Sequence, residues 1–167
     1  MADQRGVSMV EFALSLPFLV LLYIGGYELS DGISAYRKVT TTTRTIADLT
    51  SQYTSVQTSD LDTILDASTQ VLAPYKATAG SFVVSQIKID GTGKATVDWS
   101  RGKNSSGLVP GTAFTIPASI KVNNTWLIVA TVNFTYTPVA ASGMIGTIPM
   151  QDAIFMNPRS SAQVKLY

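Results

Sequence analysis

The chain opens with an apolar stretch from Val7 to Tyr27, 21 residues interrupted by a single carboxylate, Glu11. That length is close to the ~20 residues a helix needs to cross a ~30 Å hydrocarbon core. Eleven of the 21 are Leu, Ile, Phe or Val, which favours insertion by about 3–7 kcal/mol on a bilayer transfer scale. An acid at mid-membrane costs roughly 2.5–3.5 kcal/mol. Glu11 lies near one end, where the cost is smaller, so insertion stays favourable by a narrow margin. From Glu28 to about Tyr53 the sequence turns polar but keeps a helical period. Val39, Ile46, Leu49, Tyr53 and Val56 fall three, four or seven apart, as one helix face requires. The run Thr40–Thr43 is β-branched and weakens that helix without ending it. The pattern thus predicts an anchor over residues 7–27 and a polar stalk over 28–56. An unbroken helix from Val7 to Tyr53 would be about 70 Å long and lift a head off the membrane.

The head, residues 57–167, begins with a second helical pattern. Ser59 is placed as an N-cap with Asp62 at the third helical position, a variant of the capping box. Leu61, Ile64, Leu65, Ser68, Val71 and Leu72 trace one face and Pro74 stops it. Asp60, Asp62 and Asp66 lie where the helix dipole favours negative charge. Beyond Gly80 the period falls to two. Ile87 and Ile89 alternate with polar residues, Asp90-Gly91 supplies a turn, and Ala95, Val97 and Trp99 alternate again, which predicts a hairpin. Trp99 reads as an anchor of the sheet core. Residues 101–111 are rich in Gly, Ser and Asn and read as an exposed loop. Trp126–Tyr136 is a long apolar strand with a central place. Residues 139–147 form a loop, and 148–156 and 161–167 two further strands, whose Pro149 and Pro158 point to sheet edges or ends. A helix first and strands afterwards give an α+β fold. Its long N-terminal helix protrudes, and the second helix packs on an antiparallel sheet of four or five strands.

Composition narrows the function. Of 167 residues 14% are charged, net charge is +1, and the 12 basic residues are scattered, so no nucleic-acid footprint exists. Histidine and cysteine are both absent. Ser-His-Asp and Cys-His catalysis are therefore impossible, and the usual zinc ligand sets are excluded. The acids beyond Glu11 form no calcium-loop or glycosidase spacing. The expectation is a protein that is not an enzyme, with no cofactor, no metal and no small-molecule substrate.

The informative motif is Arg5-Gly-Val-Ser-Met-Val-Glu-Phe-Ala-Leu-Ser-Leu-Pro17. Gly6 stands directly before the apolar stretch, Glu11 is the fifth residue after it and Phe12 the sixth. This spacing resembles the prepilin processing site of type IV-like pilins. The Glu-Phe form followed by Pro17 is similar to the TadE/TadG family of minor pilins, or pseudopilins, of tight-adherence pili. Tyr36–Thr40, Arg44–Leu49 and the Pro158-Arg159 segment are similar to that family too. The resemblance implies that residues 1–6 are a leader, cut between Gly6 and Val7 by a prepilin peptidase. It implies a single-pass protein of the bacterial inner membrane with a periplasmic head, whose helix then packs with other pilin and pseudopilin subunits. Glu11 would pair with the new Val7 amine of a neighbour and set register, with Phe12 beside it and Pro17 as a kink. An ion pair in a water-poor fibre gives register more surely than stability. Adhesion, biofilm formation and pilus assembly are the implied roles.

Two alternatives stay open: an anchored periplasmic binding module that keeps residues 1–6, and a type II secretion pseudopilin, which shares the Gly-to-Glu spacing. A cleavable secretory signal fits poorly, because residues 26–32 offer no good small-x-small site. The basic residues oppose the implied topology: Arg5 flanks the stretch on one side, Arg37, Lys38 and Arg44 on the other. Counted literally, they place the N-terminus outside.

Overall fold

A computed structural model of the chain describes residues 5–140 and 142–167. The first four residues of the expected leader lie outside the described residues. One helix, α1 (Arg5–Ser51), runs for 47 residues with Pro17 inside it. Among the described residues it is the helix long and apolar enough to cross a membrane. Its first half is exposed along its length: Phe18, Leu22 and Tyr23 are each at least two-thirds uncovered.

The second half, expected as a free stalk, is instead part of the head. Ala35, Val39, Ile46 and Ala47 are fully buried against strands β4 (Thr125–Tyr136) and β5 (Ile148–Met156). The spacing that marked a helix face also marked a core face, because a single apolar stripe needs a partner layer. Threonine makes this possible with most of its polar groups satisfied, although the hydroxyl of buried Thr42 finds no partner among the described residues. The Thr43 and Thr50 hydroxyls, both buried, donate to the carbonyls of Val39 and Ile46 one turn back, at 2.9 and 2.8 Å. Exposed Thr41 and Thr45 do the same, so the β-branched run lies inside the helix. The helix stops at Ser51, so Tyr53, expected to continue the same helix face, lies beyond it and is exposed.

After a short strand β1 (Ser55–Val56), helix α2 spans Thr58–Thr69. Its cap lies two residues earlier than the sequence suggests. Gln57 is the N-cap, and its N–H donates to the Asp60 carboxylate at 2.8 Å. Asp62 is thereby released from capping and accepts two hydrogen bonds from Arg101 on β3 (Ala95–Lys103), at 2.7 and 2.8 Å. That guanidinium holds the Asp62 carboxyl below its usual range. Asp66 pairs with Lys103 one turn further on. The acids read as dipole partners therefore also tie α2 to the sheet edge.

The main sheet has the order β3-β2-β4-β5 and is antiparallel throughout, with β2 spanning Gly80–Ile89. The β2–β3 connection runs from Asp90 to Lys94. One Asp90 oxygen accepts from the Thr92 and Lys94 N–H groups and the Thr92 hydroxyl, while Gly93 takes φ 83°. One face of the sheet buries Phe82, Val84, Trp99, Ile128, Val132 and Phe134 under α1 and α2. The other buries Ile87, Ile89, Val97 and Val129 with Phe114 and Ile116. Residues 101–111 were expected as an exposed loop. Arg101–Lys103 are strand, and the chain beyond them folds back to cover that second face.

A four-residue helix, α3 (Ser142–Ile145), lies between β4 and β5. The last expected strand is only β6 (Lys165–Leu166), which pairs in parallel with β1 outside the main sheet. The tail leading to it is fastened by side chains. The Arg159 guanidinium meets Asp48 at 2.6 Å and its N–H donates to the Ser51 carbonyl at 2.8 Å, satisfying a group left open at the end of α1. Val164 donates its N–H to buried Gln86 Oε1 at 2.6 Å, and its carbonyl accepts from Trp99 Nε1 at 2.8 Å.

Burial predicts which half of α1 carries head stability. Ile46→Ala empties a fully buried position and should lower head stability by about 2–5 kcal/mol. Leu22→Ala, at a position 73% exposed, should change it by less than about 0.5 kcal/mol. Urea unfolding in detergent, followed by tryptophan fluorescence, measures both.

Candidate functional site

Two regions of α1 carry the candidate chemistry. The first is the end where processing and register were expected. Gly6 lies in the helix, exposed, and a side chain added there would meet nothing within 4 Å. Val7 and Phe12 are 55% and 61% exposed. Glu11 is exposed, with no hydrogen bond or ion pair to another described residue. Val7 and Glu11 stand four residues apart on one helix face, about 6 Å along the axis. Were Val7 the first residue, its amine and the helix dipole would both favour a carboxylate one turn away. Pro17 removes a backbone donor opposite the Ala13 carbonyl without ending the helix. The structure thus places Gly6, Val7, Glu11 and Phe12 together on an exposed helix end.

The second region was not singled out from sequence. It is the junction where α1 meets the head, one residue past the apolar run. Glu28 is buried, with one carboxylate oxygen accepting the Ala140 N–H. Asp31, three residues on and so on the same face, takes one phenol on each oxygen: Tyr136 at 2.6 Å and Tyr75 at 2.7 Å. The Tyr136 hydroxyl also sits 3.4 Å from Glu28. Edge-on contacts join Tyr75 to Phe134 and Tyr136, with ring centroids 6.2 and 6.1 Å apart. Burial first, then the Asp31 carboxylate, push the Tyr75 phenol up to about 12 and raise that of Tyr136 further. The neutral phenol is the useful form here, because it donates to the carboxylate. The sequence signal was present: two acids three apart at the end of an apolar run. Their partners, more than 40 residues away in sequence, could not be read from spacing.

Beside this junction lies a groove of about 710 Å³ between α1 and the start of β5, lined mainly by apolar groups including Ile24, Leu29, Ile33, Pro138 and Ile148. Among the described residues no three His, Cys, Asp or Glu side chains gather as a metal site would require.

Residues 6–48 match the family described as TadE-like protein. The chain carries a TadE-like segment. The match begins at the expected cleavage residue and ends just before the C-terminus of α1, so it includes the exposed half, the junction acids and most of the buried half. The match suggests a protein associated with tight-adherence (Tad) pili, with pilus components as partners, and fits a membrane-anchored component. No curated protein and no solved structure matches the chain. The TadE-like segment of this protein is thus one continuous helix with two environments.

The junction makes two predictions. Tyr136→Phe removes the donor to Asp31 and should destabilise the head by about 1.5–3 kcal/mol, the range for a hydrogen bond to a charged group, as measured by urea unfolding. Unfolding returns Tyr75 to its ordinary value of 10.0 from about 12. The folded state therefore holds its proton more tightly. The stability tied to it is complete below pH 10 and is lost as the pH rises towards 12. Thermal unfolding across that interval should show the loss, and Tyr75→Phe should reduce its slope.

Proposed function

We propose that this protein is a structural minor pilin, or pseudopilin, of a tight-adherence pilus, without enzymatic activity of its own. The observation that carries the reading is the TadE-like match, which begins at Gly6, laid on the exposed apolar half of α1 that holds Glu11. A prepilin peptidase cuts between Gly6 and Val7 on the cytoplasmic side of the inner membrane, leaving the head in the periplasm. The exposure of Gly6 and Val7 supports this, since a protease must reach the bond.

The exposed half of α1 then moves from lipid into a bundle of subunit helices. Glu11 meets the Val7 amine of a neighbouring subunit there. Only one axial stagger satisfies both charges, and every other leaves an unpaired carboxylate in an apolar setting. Phe12 and the apolar positions around it supply the packing. Pro17 leaves a carbonyl for a neighbour to satisfy. The head, whose core includes the second half of the same helix, follows each displacement of the anchor and presents the surface for adhesion or assembly. Such a protein needs no cofactor.

Mass spectrometry of the native membrane fraction tests the first step. A mature chain beginning at Val7 is expected; one that keeps residues 1–6 returns the protein to the class of simple anchored modules. Glu11→Ala should leave leader removal intact and abolish incorporation into pili, as read by sheared-pilus fractions. Normal incorporation of that variant would sink the register role.

A further inference from the structure

Two hydrogen bonds fix where the head stands relative to the apolar half of α1. Glu28 is the first residue after the apolar run and holds the Ala140 N–H; Asp31 holds the Tyr136 hydroxyl at 2.6 Å. The chain that leaves β4 is therefore level with the point where α1 emerges from an apolar medium. Residues 137–147, the connection from β4 to β5, contain no charged side chain. Within it Val139 is 73% exposed, and Ile148 follows, exposed at the start of β5. Leu29 and Ile33 are exposed on the facing side of α1, across the apolar groove. Leu22 of the apolar run, seven residues before Leu29 and so on the same helix face, is exposed as well. Exposed apolar groups gathered in this way mark an interaction surface, and the helix face they share with the anchor indicates their occupant.

We propose that the end of the head at Val139 and Ile148 is a lipid-contact surface. Val139 and the neighbouring apolar groups enter the boundary between headgroups and acyl chains, so that the head rests on the bilayer instead of standing off it. This rests on the reading of α1 as a membrane anchor. The opposite end of the sheet supplies the contrast. Val122 is also exposed, but it lies beside the far end of β4, eleven residues or about 36 Å along the strand from Tyr136. Charged Asp90, Lys94 and Lys121 surround that end. Among the described residues, the Val139 end of the head lies beside the anchor half of α1, and its connecting segment carries no charged side chain.

The chain has no cysteine, so single-cysteine variants of the full chain accept one probe each. Val139→Cys, Leu19→Cys and Val122→Cys are labelled with an environment-sensitive fluorophore. Each is reconstituted into vesicles of phosphatidylethanolamine and phosphatidylglycerol, with and without lipids spin-labelled near the headgroup. The proposal expects a blue shift and quenching at positions 19 and 139 and neither at 122. If position 19 is blue-shifted while 139 behaves like 122, the anchor stands and the lipid-contact surface is wrong. A blue shift at 139 without quenching by the spin-labelled lipid overturns it in favour of a protein occupant such as a second copy. If position 19 itself reads as water, the anchor reading fails, and the proposal with it.

Discussion

A helix that leaves an apolar medium and enters a protein core has to exchange one set of neighbours for another within about a turn. In α1 that exchange happens at Glu28 and Asp31. Both carboxylates lie at the underside of the head, and both would be costly there without donors. Tyr136 and the Ala140 N–H, at and just beyond the end of β4, and Tyr75 from another part of the chain supply the donors. The consequence is geometric. With the junction satisfied in one arrangement, α1 cannot rotate or slide against the sheet without leaving a carboxylate bare. The buried stripe from Ala35 to Ala47 then falls into register on β4 and β5.

Much of this was legible in the sequence, where the governing rule is local. The apolar run, the helical period through Val39 and Ile46, the Asp90-Gly91 hairpin and the central strand ending at Tyr136 all depend on neighbours a few residues away. Gly6, Val7, Glu11, Phe12 and Pro17 stood out as a motif, and the roles proposed for them in processing, register and kinking lie in contacts with other molecules. Failures came where two local solutions were equally good or the partner was distant. Ser59 with Asp62 satisfied the capping rule on paper as well as Gln57 with Asp60 does in the structure. What separates them is Arg101, 39 residues away, which claims Asp62. The stalk between residues 28 and 56 was misjudged because a stripe facing solvent and a stripe facing a sheet have the same period. The junction acids were visible, but nothing near them in sequence announced two tyrosines.

The tail shows how an arginine beyond the sheet acquires a reason. Arg159 lies beyond the sheet, yet its guanidinium and its N–H both reach the end of α1. The open carbonyl of Ser51 is satisfied, and the tail is then led back to Val164. There buried Gln86 takes the N–H and Trp99 the carbonyl. An interior glutamine is costly unless both its ends are engaged; its amide donates to Asp98 at 2.6 Å, so both are. The tail, the sheet and the helix end are joined by hydrogen bonds that no single segment could make alone.

The course of α1 over the sheet also settles how the molecule meets a mechanical load. Residues 24–36 lie beside the start of β5 and residues 41–49 beside its end and Arg159, so helix and strand run side by side. Tension along α1 is delivered parallel to the strands. The ladder bonds of β4 with β2 and β5 then share the force simultaneously, as rivets share it in a lap joint, instead of opening one by one like a zip. An object towed by its anchor helix is, by this arrangement, gripped along its strongest direction.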